Sequence, residues 1–178
     1  MITKATALLA ALALGGAVSA SQAANAARED HNLSEAKVSL TQAIGIAEKQ
    51  GSGQAVDADY AAKHGGKEMG HYAIKVLSSD GKKLTKYEVD PMSGKITEAS
   101  NEAFEKVFTR IKPTDLQNAP TSLKSAISTA ESQSGGKAVD ADTDKSGDTV
   151  RYTVKVARAD GTTEKVKVNS DGKVASAK

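Results

Sequence analysis

Apolar residues along the chain change their spacing in a fixed order. Leu40, Ala43, Ile44 and Ala47 stand at i, i+3, i+4 and i+7, which is one stripe of an α-helix. Ser39 followed by Gln42 has the form of a capping box, and Gly51, Ser52 and Gly53 supply a stop. Gly45 inside this segment costs ~1 kcal/mol relative to alanine, so the helix must depend on packing more than on propensity. The period then falls to two. Tyr72, Ile74 and Val76 occupy one face, and His71, Ala73, Lys75 and Leu77 the other, which predicts a half-buried strand. Ser79, Asp80 and Gly81 predict a hairpin turn, after which Tyr87 and Val89 resume the inward face with Lys86 and Glu88 outward. A second turn from Asp90 to Gly94, with Pro91 outside the ladder, leads to a last short strand over 95–98.

The series returns downstream, so the sequence is a tandem repeat. Ala55-Val56-Asp57-Ala58-Asp59 recurs as Ala138-Val139-Asp140-Ala141-Asp142, and Ser39, Leu40, Ala43, Ile44 and Ala47 recur 83 positions later as Ser122, Leu123, Ala126, Ile127 and Ala130. Tyr72 to Val76 recurs as Tyr152 to Val156, now offset by 80, with Val150, Tyr152, Val154, Val156, Val166 and Val168 inward. The fold class expected is α+β: two tandem units, each with the order helix, strand, hairpin and short strand, and each laying one helix across its own small antiparallel sheet. Between them Phe104, Val107, Phe108 and Ile111 again follow helical spacing, which predicts an amphipathic helix over 101–111 that stops before Pro113. Its stripe, carrying Phe104 and Phe108, either caps the first sheet or offers a docking face to a partner.

Composition narrows the picture. A unit of about 60 residues buries only about 60% of its unfolded surface, and with four Tyr, two Phe and no Trp each core must be small and built from Val, Ile, Leu and Ala. The net charge is +2 with no block of like charge, which argues against a dedicated nucleic-acid binder. There is no cysteine, so disulfides, thiolate nucleophiles and Cys-based metal sites are excluded together. Lys4, the apolar run Ala5 to Leu14 and the small residues Ala17 to Ala24 have the pattern of a secretory signal cleaved after Ala23, or after Ala20. An apolar run of roughly ten residues falls well short of the ~20 that span a bilayer, so the mature protein is expected to be soluble and exported, to the periplasm or the medium. The expected organisation is a signal at 1–23, a disordered leader at 24–37 containing His31, a first unit at 38–100, a helical linker at 101–120 and a second unit at 121–178.

The helix with Ala43 and Ala47, the Tyr72, Ile74, Val76 strand, Asp80-Gly81, and the ending Val89, Asp90, Gly94 and Lys95 together resemble the PepSY domain, the module of thermolysin-like metalloprotease propeptides and YpeB-type proteins. Residues 38–99 carry the resemblance well. Residues 122–175 carry it less closely, with Asn169 in place of the aspartate and Val174 in place of the isoleucine. The resemblance implies a fold and a loose role in binding or restraining extracytoplasmic enzymes, and it brings no catalytic residue and no cofactor.

The residues themselves offer little chemistry. Asp140, Asp142 and Asp144 alternate as in a calcium loop, but Lys145 and Arg151 stand where an EF-hand needs Gly and Glu, and Ala61 replaces Asp144 in the first repeat. His31, His64 and His71 are dispersed and form no compact ligand set. There is no nucleophile elbow, no phosphate loop and no carboxylate pair that stands apart from the surface charge, so neither a catalytic nor a metal site is expected. The feature that stands out is the outward face of the second sheet, where Arg151, Lys155, Lys165 and Lys167 collect; His71, Lys75, Lys86 and Glu88 form a weaker counterpart in the first unit. These lysines either solvate an exposed sheet or receive an acidic partner. The function expected is that of an exported, non-catalytic module that binds, restrains or inhibits a peptidase or other hydrolase. The alternatives are an envelope accessory protein that captures extended peptides by strand addition, and a metal-responsive binder.

Overall fold

The computed structural model describes residue 33 and residues 35–62, 69–103 and 111–175. Helix α1, Leu40–Gly51, begins at the capping box read from the sequence: Ser39 donates its N–H to Gln42 Oε1 at 2.8 Å, and Gln42 donates its own to Ser39 Oγ at 3.2 Å. It ends on Ser52, which takes the left-handed conformation at φ 47°. Helix α3, Leu123–Ser134, repeats the pattern with Ser122 at its start and Gly135 at φ 70° at its end. Each helix buries the stripe expected of it, Leu40, Ala43, Ile44 and Ala47 in one and Leu123, Ala126, Ile127 and Ala130 in the other. Half of each stripe is alanine, which lets the helix axis come close to the sheet beneath.

The sheet departs from expectation. Its strands are β1 (Gly53–Ala61), β2 (His71–Ser78), β3 (Leu84–Val89), β4 (Ile96–Asn101), β5 (Lys137–Ser146), β6 (Thr149–Ala157) and β7 (Thr163–Asn169). They form one antiparallel sheet in the order β4-β3-β2-β1-β5-β6-β7. The α+β class holds, but the two small sheets expected are one sheet of seven strands. The reason is a pair of strands absent from the sequence reading, β1 and β5, which follow the helices and pair with each other. At their shared centre the inward residues are small, with Ala58 and Ala141 both fully buried, and the outward residues are aspartates, so Val56, Tyr60 and Val139 stand too far apart to give the alternating β-branched and aromatic pattern by which strands are recognised. The two cores likewise merge into one cluster that runs from Leu40 to Val168.

Each of these strands starts under the same two devices. A β-bulge lies between Ala55 and Asp57 in β1 and between Ala138 and Asp140 in β5, so that Ala55 and Val56, and Ala138 and Val139, are buried in succession. The N–H of Ala55 donates to Glu48 Oε1 at 3.1 Å, and that of Ala138 donates to Glu131 Oε1 at 2.9 Å. A Cβ at Gly53 would lie 2.0 Å from the Leu77 carbonyl oxygen, and one at Gly136 would lie 2.2 Å from that of Ala157, so both strands enter at positions only glycine fits. Tyr72 donates its hydroxyl to the Val38 carbonyl at 2.7 Å, and Tyr152 donates to that of Thr121, each tying a strand to the residue before a helix cap. Burial pushes both phenols up to about 12.

Three boundaries shift. β4 runs on through Asn101, where the linker helix was expected to begin, and a short helix α2, Pro113–Gln117, starts at the proline expected to stop one. Proline is at home in the first helical position because that N–H has no partner to lose. Phe104 and Phe108 lie outside the described residues, but Ile111 and Leu116 belong to the core. The leader is held before residue 38: Leu33 packs on the core, and Lys37 and Val38 both donate their N–H to the Pro91 carbonyl.

Leu77 and Leu84 pair directly on the outward face of the sheet, yet both are buried. α2 lies beside their hairpin, where a Cβ on Gly81 would come within 3.1 Å of Pro113 and where Gln117 donates to the Ser79 carbonyl at 2.9 Å. In the second repeat the corresponding pair is Ala157 and Thr163, which offers little apolar surface to cover.

Candidate functional site

Helices α1 and α3 occupy one face of the sheet, and the opposite face carries most of the strands' polar residues. Two cross-strand rows dominate its centre. In register they run Lys86, Lys75, Asp57, Asp142, Thr153 and Lys167 from β3 to β7, and Glu88, Ala73, Asp59, Asp140, Lys155 and Lys165 beside them. The face therefore has an acidic centre of four aspartates, a basic end over β6 and β7, and a charge-balanced end over β2 and β3.

The balanced end explains why the first unit's cationic counterpart is weak. Lys75 Nζ lies 3.1 Å from Asp57 Oδ2, Lys86 Nζ lies 2.9 Å from Glu88 Oε1, and His71 Nε2 lies 3.5 Å from the same oxygen. Glu88, hydrogen bonding first and then attracting, holds the Lys86 ammonium above its ordinary value.

At the basic end the four residues singled out from the sequence separate. Lys165 and Lys167 are exposed on β7, and Lys155 stands beside Lys165 in register. Arg151 is turned inward, donating from Nη2 to Ser146 Oγ, so it holds the β5–β6 hairpin more than it presents charge. The cationic strip is thus Lys165 and Lys167, both exposed, with Lys155 beside them opposite Asp140.

The acidic centre is what the sequence reading missed. Asp57 faces Asp142 and Asp59 faces Asp140, two like-charged pairs directly opposite one another, an arrangement that destabilises a ladder. Loss of hydration first, then Asp57 and Asp140, push the Asp59 carboxyl up. Asp140 is raised by the same loss and by Asp57, against Lys155 and Lys165. Asp142 is pushed up to about 6 by loss of hydration, then by Asp140 and Asp57. The signal available in the sequence was the letter-for-letter return of Asp57 and Asp59 at 140 and 142; what it lacked was the pairing of the two copies. Among the described residues no three carboxylates or imidazoles are grouped so as to hold a metal ion, and Asp144 lies further along β5, opposite Arg151. A cleft of about 320 Å³ at the α2 end is lined by Gly53, Gln54, Leu77, Ser78, Ser79 and Gln117, none of which titrates.

The sheet edges differ from each other. β7 is partly closed at its outer side by the chain that follows it: Val168 bridges to Val174, Asn169 donates to the Lys173 carbonyl at 2.8 Å, and Ala175 donates to that of Lys167 at 2.7 Å. β4 has no strand on its outer side among the described residues.

Comparison with known proteins follows this geometry. No curated protein matches the sequence. A solved structure described as "a putative lipoprotein" from Clostridium difficile 630 is similar over 83% of this chain and 97% of its own, with 17% identity and a TM-score of 0.48. Residues 37–99, from the approach to α1 through most of β4, match the PepSY family, described as the peptidase propeptide and YPEB domain.

Proposed function

We propose that this protein is an exported, non-catalytic binding module that docks on an extracytoplasmic peptidase or related hydrolase and restrains it. The observation that carries the reading is the PepSY match at residues 37–99, since that family's members include peptidase propeptides. The signal pattern of Lys4, Ala5 to Leu14 and Ala23 supports export. Among the described residues no helix is long and apolar enough to cross a membrane. The docking surface we assign is the uncovered sheet face at its basic end, where Lys155, Lys165 and Lys167 would meet an acidic patch; complementary charge speeds encounter and fixes orientation more than it deepens affinity. Phe104 and Phe108 remain a second candidate surface. Strand addition is the alternative mode of binding, and β4, which has no strand on its outer side among the described residues, is the edge we assign it in preference to β7.

Immobilised protein beginning at Ala24, exposed to an envelope extract at low salt, tests the reading. Enrichment of a peptidase or hydrolase that is released by moderate salt is the expected result. Capture only of unfolded or extended polypeptides, insensitive to salt, would favour strand addition instead.

A further inference from the structure

We propose that the β1–β5 seam is a pH-gated junction, at which charged carboxylates loosen the contact between the two halves of the sheet near neutrality and proton uptake closes it. The geometry sets this out. β1 holds β2 through eight registered pairs and β5 holds β6 through nine, but β1 and β5 hold each other through only three, Asp57 with Asp142, Ala58 with Ala141 and Asp59 with Asp140. Two of those three are aspartate pairs.

The surrounding cations offset this repulsion only in part, and Asp59, Asp140 and Asp142 stay raised beside them. On β2, Lys75 pairs with Asp57 and also attracts the carboxylates of Asp59 and Asp142, and His71, beside Ala61, acts on Asp59 in the same direction. On β6, Lys155 stands opposite Asp140, while Arg151 is engaged with Ser146. From β7 comes Lys165, beside Lys155; on β3, Lys86 and Glu88 pair with each other. Asp144 adds a further carboxylate along β5. On the covered face, Glu48 and Glu131 are committed to backbone N–H groups at the bulges, with Lys124 joining Glu48 at 3.3 Å. Each half therefore supplies one aspartate with a lysine beside it, Asp57 or Asp140, and one with a neutral neighbour, since Asp59 faces Ala73 and Asp142 faces Thr153. Four carboxylates meet across a short ladder with only one ammonium group directly opposite them on each side, Lys75 and Lys155.

The carboxyls of Asp59, Asp140 and Asp142 all sit above their ordinary value. A carboxyl raised in the closed seam binds more protons there than when the seam is open, so closure is favoured at low pH and the advantage is lost as pH rises through the window from 3.8 to about 6. The gate needs no partner protein and stands apart from the docking proposed above.

Hydrogen exchange of the protein from Ala24 to its end reads the seam directly. Protection of the amides at 57–59 and 140–142, normalised to those of Ile74 and Val154 in the flanking ladders, should be about tenfold greater at about pH 5 than at about pH 7.5. Asp59→Asn with Asp142→Asn should give the higher protection at both values. Equal protection of the wild-type seam at the two values, or a pH dependence undiminished in the double variant, would overturn the gate. Should the double variant fail to fold, Asp142→Asn alone, at an exposed position, must already flatten part of the dependence.

Discussion

Ala58 and Ala141 occupy the same place in the two repeats and face each other across the β1–β5 ladder. Antiparallel pairing of like with like makes this contact a local two-fold centre, which is why Asp57 meets Asp142 and Asp59 meets Asp140. It also explains the alanines. Both are fully buried beneath two helices that lie side by side, where a larger residue has nowhere to go. Ala141→Leu should therefore cost about 1–3 kcal/mol through overpacking, read as a lower denaturant midpoint. An unchanged midpoint would mean that the helices are not seated over the seam.

Glu48 and Glu131 are placed on exposed turns of their helices by periodicity alone, yet each accepts a buried strand N–H at the bulge. Glu131→Ala should destabilise by about 1–3 kcal/mol, because it strands a donor away from water. Glu131→Gln keeps an acceptor and should recover most of the loss. Equal destabilisation by the two variants in urea unfolding would show that the charge, and not the hydrogen bond, is what matters.

The stability of the whole chain should rise as pH is lowered from neutrality toward the ordinary carboxylate range, because Asp59, Asp140 and Asp142 are raised in the folded protein and take up protons on folding. Below that range the sign reverses. Asp80, Asp90, Asp160 and Asp171 accept hydrogen bonds in their turns and are held low, so protonating them removes stability that is present above 3.8 and lost as pH falls further. Melting temperature against pH should thus peak on the acid side of neutrality; a maximum at or above neutral pH would contradict this.

Helices α1 and α3 and the turns were legible in the sequence because their signals are local, whereas α2 was not. Ser39 with Gln42, the Ala-rich stripes, and the glycines at 81 and 94 each act within a few residues, and the structure places them as read. The β2, β3, β6 and β7 strands were legible for the same reason, since Tyr72, Ile74, Val76 and their counterparts alternate cleanly. β1 and β5 were not, because their identity depends on a partner more than 80 residues away and the side chains where they pair are Ala and Asp. The acidic seam was hidden with them. The basic strip was visible as Lys155, Lys165 and Lys167, whereas the diversion of Arg151 to Ser146 depends on a hairpin geometry that no spacing reveals.

The structure also decides how the proposed docking face can be examined. Lys155 stands opposite Asp140, so reversing it would add a carboxylate to the seam and confuse binding with stability. Lys167 faces Thr153 and is exposed, and Lys165 is exposed beside it, so both can be changed with little effect on the core.

The most direct measurement titrates the protein from Ala24 onward into a thermolysin-like metallopeptidase assay at low and moderate salt, beside the variant Lys165→Gln with Lys167→Glu. The wild type should inhibit, salt should slow the onset, and the variant should associate more slowly and lose that salt dependence while its melting curve is unchanged. A peptidase unaffected by the wild-type protein would contradict restraint of this enzyme class, and equal inhibition by the two forms would contradict the basic face as the site.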